Sequence, residues 1–118
     1  MTTQEIANGL VAFCRKGEFD KAYTSYFSED ATSTEPIPNI PVAKGLDALL
    51  AKGAGWAAIT EVHSAEVSEP LVGGNYFALT FKMDTTNKET GQRTQGEEIA
   101  LYHVKDGKVV SEQFFYDM

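Results

Sequence analysis

The chain divides where its hydrophobic period changes. Thr2 with Glu5 three residues later fits a capping box, and Ile6, Leu10, Phe13 and Cys14 then recur at helical spacing on one face. Gly17 is a natural stop. Phe19, Ala22, Tyr23, Tyr26 and Phe27 repeat at three and four, so a second helix follows at once, in a tight angled pair with the first. Its aromatic stripe reads as core, although a tyrosine hydroxyl could reach an interior cavity, and Tyr26 is the candidate ligand contact. Lys44-Gly45-Leu46-Asp47 opens a third helix that buries Leu46, Leu49 and Leu50. Gly53 and Gly55 each cost about 1 kcal/mol relative to alanine in a helix, which leaves its end open between Lys52 and Trp56.

From Ile59 the period becomes that of strands. The first, Ile59 to about Glu69, alternates poorly and its faces stay unassigned, with the role of His63. Gly73-Gly74-Asn75 is a turn. Tyr76 to Asp84 alternates cleanly, with Phe77, Leu79, Phe81 and Met83 on one face. Thr85 to Arg93 reads as a polar hairpin tip. The strand from about Thr94 to Val104 sets Glu98, Ala100, Tyr102 and Val104 against Glu97, Ile99, Leu101 and His103. Asp106-Gly107 is a strong hairpin turn. The last strand, Lys108 to Tyr116, sets Val110, Glu112, Phe114 and Tyr116 against Val109, Ser111, Gln113 and Phe115. Helices followed by an antiparallel meander define an α+β domain, and a long twisted sheet curled around the helices would enclose a cone. Both faces of the last two strands carry large apolar residues. One would line a pocket and the outer one would meet a second subunit, so a homodimer is expected.

Composition narrows the class. The 118 residues make one domain with material for a single core, at 42% hydrophobic and 11% aromatic. Seventeen acidic against 10 basic residues give a net charge of -7, which repels phosphate backbones and anionic lipid, so neither nucleic acid nor membrane is an expected partner. The start, Met1 to Glu5, lacks the basic and apolar run of a signal peptide, and no stretch has the length of a membrane span. Cys14 is the only cysteine, which excludes an internal disulfide and a cysteine-based metal site. Its place on an apolar stripe favours a buried inert thiol over a nucleophile. A soluble cytoplasmic protein is the expectation.

The stretch Phe27-Ser28-Glu29-Asp30-Ala31-Thr32-Ser33-Thr34-Glu35-Pro36 holds the candidate chemistry. A residue before proline is pushed into extended geometry, so Glu35 should project from a strand end in a fixed direction, suited to an acid or base. A solvated loop carboxylate is the plainer alternative. Pro36-Ile37-Pro38-Asn39-Ile40-Pro41 cannot be helix and reads as an irregular loop, a rim over whatever Glu35 faces.

Four pieces in this order and spacing carry a family resemblance: Gly17-Glu18-Phe19-Asp20, Tyr26-Phe27-Ser28-Glu29-Asp30-Ala31-Thr32, Lys44-Gly45-Leu46-Asp47-Ala48-Leu49 and Val104-Lys105-Asp106-Gly107-Lys108-Val109-Val110. Over nearly its whole length the chain resembles the nuclear transport factor 2-like superfamily, within it the SnoaL-like and ketosteroid-isomerase-like small proteins. The resemblance implies a cone-shaped α+β barrel, with three N-terminal helices packed in the concave face of a strongly curved antiparallel sheet. For function it is not specific, because this fold hosts isomerases, dehydratases, cyclases, epoxide hydrolases and non-catalytic binders.

Residue by residue, the resemblance places Glu35 where ketosteroid isomerases carry their general base. Their partner tyrosine falls at about Leu10 and their protonated oxyanion aspartate at about Ala100, neither of which can donate a hydrogen bond. Losing one such donor costs on the order of a hundredfold in rate, so steroid isomerisation by that mechanism is not expected. The resemblance also puts Phe77, Leu79, Phe81, Tyr102, Phe114 and Tyr116 on the pocket face, together with Glu98 and Glu112. Carboxylates converging in an apolar cone repel, and at least one should titrate well above an ordinary glutamate. Alternatively, Glu98 and Glu112 lie at strand ends open to water, or pair with Lys82 or Arg93. No arginine falls on the pocket face for epoxide hydrolysis, and His103 alternates outward. The two histidines make no metal site, and no glycine-rich phosphate loop is present.

Two readings follow. One is an enzyme using general acid-base chemistry, without cofactor or metal, on a small apolar carbonyl compound in an isomerisation, cyclisation or dehydration. Glu35 is then the base, Glu112 or Glu98 a second acid-base group, and Tyr102 or Tyr116 the donor to a developing oxyanion, with Phe77, Leu79, Phe81, Phe114 and Tyr26 as ligand contacts. The other is a non-catalytic binder of a small apolar ligand.

Overall fold

The computed structural model describes residues 1–117. In chain order its elements are α1 (Thr3–Arg15), α2 (Phe19–Tyr26), β1 (Phe27–Thr34), β2 (Ala43–Lys44), α3 (Leu46–Ile59), β3 (Thr60–Val67), β4 (Leu71–Gly73), β5 (Tyr76–Asn87), β6 (Arg93–Lys105) and β7 (Lys108–Phe115).

Local chemistry explains the ends of these elements. The Thr2 hydroxyl accepts from the Glu5 amide at 3.1 Å while the Glu5 carboxylate accepts from the Thr2 amide at 2.8 Å, which completes the capping box of α1. At its other end Gly17 takes φ +73, and the amides of Gly17 and Glu18 donate to the carbonyls of Cys14 and Phe13, closing the last turn in a Schellman motif. Asp106 and Gly107 both have positive φ, at 52 and 76, so the β6–β7 loop is a two-residue turn matched to the twist of its strands. Helix α3 runs through Gly53 and Gly55 to Ile59.

The strands form one mixed sheet in the order β2-β1-β7-β6-β5-β3, with β4 also on β5. It curves around the three helices without closing. α1 packs against β3, β4 and β5, and α3 against β1. Its one departure from an antiparallel meander is β1, which runs parallel to β7. Strands β2 and β4, of two and three residues, were too short to give a periodic signal. The polar hairpin tip is shorter than expected, because Thr85 and Thr86 pair with Thr94 and Arg93 and extend both strands.

Two bulges correct the face assignments. Val62 pairs with Thr85 but Ser64 with Asp84, so His63 is an extra residue and β3 loses its alternation there. Val104 pairs with Val109 but His103 with Ser111, so Val110 is extra. Val109, rather than Val110, is therefore fully buried on the helix-facing side, and Glu112 keeps its expected face. The core is Ile6, Leu10, Leu49, Phe77, Leu79 and Val109 with their neighbours, all on that side.

Candidate functional site

The register of β5, β6, β7 and β1 sorts the helix-facing side chains into rows. Phe77, Tyr102, Glu112 and Ser33 are neighbours across the first. Leu79, Ala100 and Phe114 form the second, and Phe81 with Glu98 the third. Ala100 is small and fully buried, so bulk is missing from the middle of this face. A cavity of about 590 Å³ lies between the sheet and the helices, within the range of small-molecule sites.

A chain of polar contacts crosses this cavity. Lys52 reaches from α3 to Glu35, Nζ to Oε1 at 2.9 Å, donates to the Ser33 hydroxyl at 2.8 Å, and lies 5.5 Å from the centre of the Phe114 ring. The Tyr116 hydroxyl donates to the other oxygen of Glu35 at 2.9 Å. Tyr23, from α2, donates to Glu112 Oε1 at 2.7 Å. Ser33, held by Lys52, is the next neighbour of Glu112 on β1, so Glu35 and Glu112 are linked through Lys52 and Ser33.

Burial sets the electrostatics. Glu112 is 2% exposed and its carboxyl is pushed up to about 7 by desolvation, against hydrogen bonds from Tyr23 and Ser33 and the charge of Lys52. Glu98 is likewise pushed up to about 7, by desolvation first and then by the charges of Glu35 and Glu112. Tyr23, Tyr102 and Tyr116 are all raised by desolvation, aided by the neighbouring carboxylates, so each remains a hydroxyl donor. Cys14 is buried and its thiol is pushed up to about 12, chiefly by desolvation, which leaves it inert as a nucleophile.

Of the residues singled out in the sequence, Glu35, Glu98, Glu112, Tyr102, Tyr116, Phe81 and Phe114 line the cavity. Three do not, and their places correct the expected ligand contacts. Phe77 is core, its ring stacked on Tyr102 at 4.7 Å between centroids. Leu79 lies beside Ala100 across the β5–β6 pair, in the core. Tyr26 points away and packs on Phe13 and Gly9, whereas Tyr23 is the tyrosine whose hydroxyl enters the site. Neither cation named as a partner for the carboxylates serves them. Arg93 forks onto Asp84 at 2.9 and 2.8 Å, which holds Asp84 down at about 2, and Lys82 is exposed on the outer face. The cation that the site does hold is Lys52, which pairs with Glu35 and was missed. The signal for it was its position three residues after Leu49 and four before Trp56, a lysine on an apolar helix face. His63 is exposed and bonded to the Thr86 hydroxyl at 2.7 Å, and His103 stacks on Tyr76 on the outer face. Among the described residues no group of three or more His, Cys, Asp or Glu is placed to hold a metal.

An open curved sheet, three helices and a pocket between them define a nuclear transport factor 2-like fold, of the kind that binds small ligands. Residues 1–116 match the family model of the SnoaL-like domain, and the chain belongs to that family. It is similar to a candidate SnoaL-like polyketide cyclase of Mesorhizobium loti, also described as a carbohydrate phosphatase, at 38% identity and a TM-score of 0.94, with 98% of this chain and 100% of that one covered. The fold is shared with an NTF2-like protein of Burkholderia thailandensis, at 15% identity, TM-score 0.84 and 99% and 92% coverage. It is shared also with a ketosteroid-isomerase-like protein of Catenulispora acidiphila, solved with trimethylamine, at 18% identity, TM-score 0.77 and 99% and 88% coverage. No curated protein gives a significant match. Among the described residues no helix is long and apolar enough to cross a membrane.

Proposed function

We propose that the protein is a cofactor-independent acid-base enzyme acting on a small, largely apolar carbonyl compound. The observation that carries this is the Glu35 carboxylate, fixed on the cavity wall by Lys52 and Tyr116 and linked to the protonatable Glu112. Glu35 takes a proton from the carbon beside the carbonyl. The C–H bond breaks, the proton passes to a Glu35 oxygen, and the electron pair moves towards the carbonyl oxygen. Tyr102 donates a hydrogen bond there as charge develops, a preorganised contribution that needs no cofactor. Return of the proton to another carbon gives isomerisation; attack of the carbanion on a second carbonyl gives cyclisation; loss of a β-hydroxyl gives dehydration. Glu112, near 7, can lose or take a proton at neutral pH, as a second acid-base group must.

Cyclisation agrees with the polyketide cyclase description of the Mesorhizobium loti relative. A phosphoester is a poorer occupant, because its anion would meet Glu35, Glu98 and Glu112 with Lys52 as the only cation among the described lining residues. The exposed Tyr76, Ile99 and Phe115 support a homodimer through the outer sheet face, and the buried free thiol of Cys14 is compatible with a cytoplasmic location.

The test is proton-deuterium exchange into a panel of small ketones in D2O, read by mass spectrometry. Glu35→Gln keeps the shape and removes the base, and should lower the exchange rate by about 10²–10⁴-fold. Undiminished exchange in that variant would remove Glu35 from the chemistry.

A further inference from the structure

Among the described residues, Tyr102 and Glu98 on the cavity wall find no hydrogen-bonding or ionic partner, and together they describe the occupant. Tyr102 is 3% exposed, yet its hydroxyl makes no protein hydrogen bond among the described residues. Among the described residues no buried side-chain polar atom is left unsatisfied, so that hydroxyl opens on the cavity. It is a donor waiting for an acceptor such as a carbonyl oxygen.

Glu98 is the complementary case. The other charged groups of the lining are accounted for: Lys52 and Glu35 pair, Glu112 is bonded to Tyr23, and Asp20 is exposed. Glu98 is partly buried, with no cation and no hydrogen bond among the described residues. Phe81 stands beside it on β5, and Tyr116, two residues beyond Phe114, continues the β7 side of the same row. The groups facing it are Glu35, Glu112 and Lys52, two negative and one positive. A neutral molecule filling the cavity would strip water from this carboxylate and give nothing back, which is costly in an apolar setting. An ammonium would supply donors and charge, with two aromatic rings beside it.

The geometry points to a substrate that carries a protonated amine as well as a carbonyl, the ammonium on Glu98 between Phe81 and Tyr116 and the carbonyl oxygen on Tyr102. Glu98 and Tyr102 are four residues apart on β6, about 13 Å of strand, so the two groups lie towards opposite ends of the molecule. This rests on the acid-base reading of the same cavity and names the class of compound on which it acts.

A matched pair of probes tests it: 4-(aminomethyl)acetophenone and 4-(hydroxymethyl)acetophenone, alike in shape and differing in the ammonium. Trp56 is the only tryptophan and lines the cavity, so its fluorescence reports binding. At pH 8, above the value of about 7 to which Glu98 is raised, the amine should bind at least about tenfold more tightly than the alcohol. Glu98→Gln should abolish that preference, and Tyr102→Phe should weaken both probes alike. Equal binding of the two probes, or a preference that survives Glu98→Gln, overturns the amine assignment. Glu35-dependent exchange into neutral ketones alongside equal binding would sink the amine alone and leave the catalytic reading standing. An amine preference without Glu35-dependent exchange would do the reverse.

Discussion

Replacing Glu112 by glutamine should make the protein more stable above neutral pH. Glu112 is 2% exposed, and its carboxyl is raised from an ordinary 4.5 to about 7, chiefly by desolvation. A group whose folded value exceeds its unfolded one binds a proton in the native state where the unfolded chain has lost it. Stability therefore falls as pH rises from the unfolded value to the folded one, and levels off above about 7. That interval corresponds to roughly 3 kcal/mol, a substantial part of the 5–15 kcal/mol that holds a typical domain together. Glutamine keeps the oxygen that accepts from Tyr23 and can donate its amide to Ser33, but never ionises. Urea unfolding at a series of pH values from 4 to 8.5 gives the test. Wild type and variant should agree near pH 4, and the variant should gain up to roughly 3 kcal/mol by pH 8. Glu98 titrates in the same window and faces Glu112, so both proteins keep some slope and the difference between the two curves is the quantity to read. A difference that stays flat across the range would mean that Glu112 is not raised in the folded protein, and the second acid-base group would be lost with it.

Lys52→Met should lower stability by about 1–3 kcal/mol in urea at pH 7, between the values for surface and buried pairs, because Lys52 and Glu35 side chains are 32% and 16% exposed. Unchanged stability would show a pair screened by water. Gly9→Ala should destabilise by about 1–3 kcal/mol despite the better helix former, because the added Cβ would overlap both the Tyr26 hydroxyl and the ring carbon that bears it. Tyr26→Phe leaves that carbon in place and should recover little, whereas in a Tyr26→Ala background the Gly9→Ala change should no longer destabilise. Sedimentation at micromolar concentration should find a dimer that Ile99→Lys with Phe115→Lys converts to monomer, and a monomeric wild type would remove the dimer.

Much of the fold was legible because its signals are local. The capping box at Thr2, the glycine stop at Gly17 and the Asp106-Gly107 turn each depend on residues within a few positions of one another. Alternation along β5 and β6 grouped Phe81 with Phe77 and Leu79, and Glu98 with Tyr102, and the family resemblance turned those faces towards the helices. Bulges break that logic, since an extra residue is visible only against a paired strand. That is why Val110 was placed inward in place of Val109, and why β3 gave no faces at His63. Glu35 was found through its proline, a backbone constraint that acts on the residue immediately before it.

By itself, then, the sequence determined the longer elements and which residues of each regular strand share a face, and its family resemblance put several carboxylates on the helix-facing side. Which of them would be paired was decided only by the tertiary structure. Lys52 lies 17 positions from Glu35 and 19 from Ser33, and meets both because α3 crosses β1. Glu112 meets Ser33 because β7 lies parallel beside β1, a pairing between the last strand and the first. Short-range patterns carry no record of such contacts. They arise when distant apolar faces are buried together, and the charges on those faces must then be satisfied by whatever they meet.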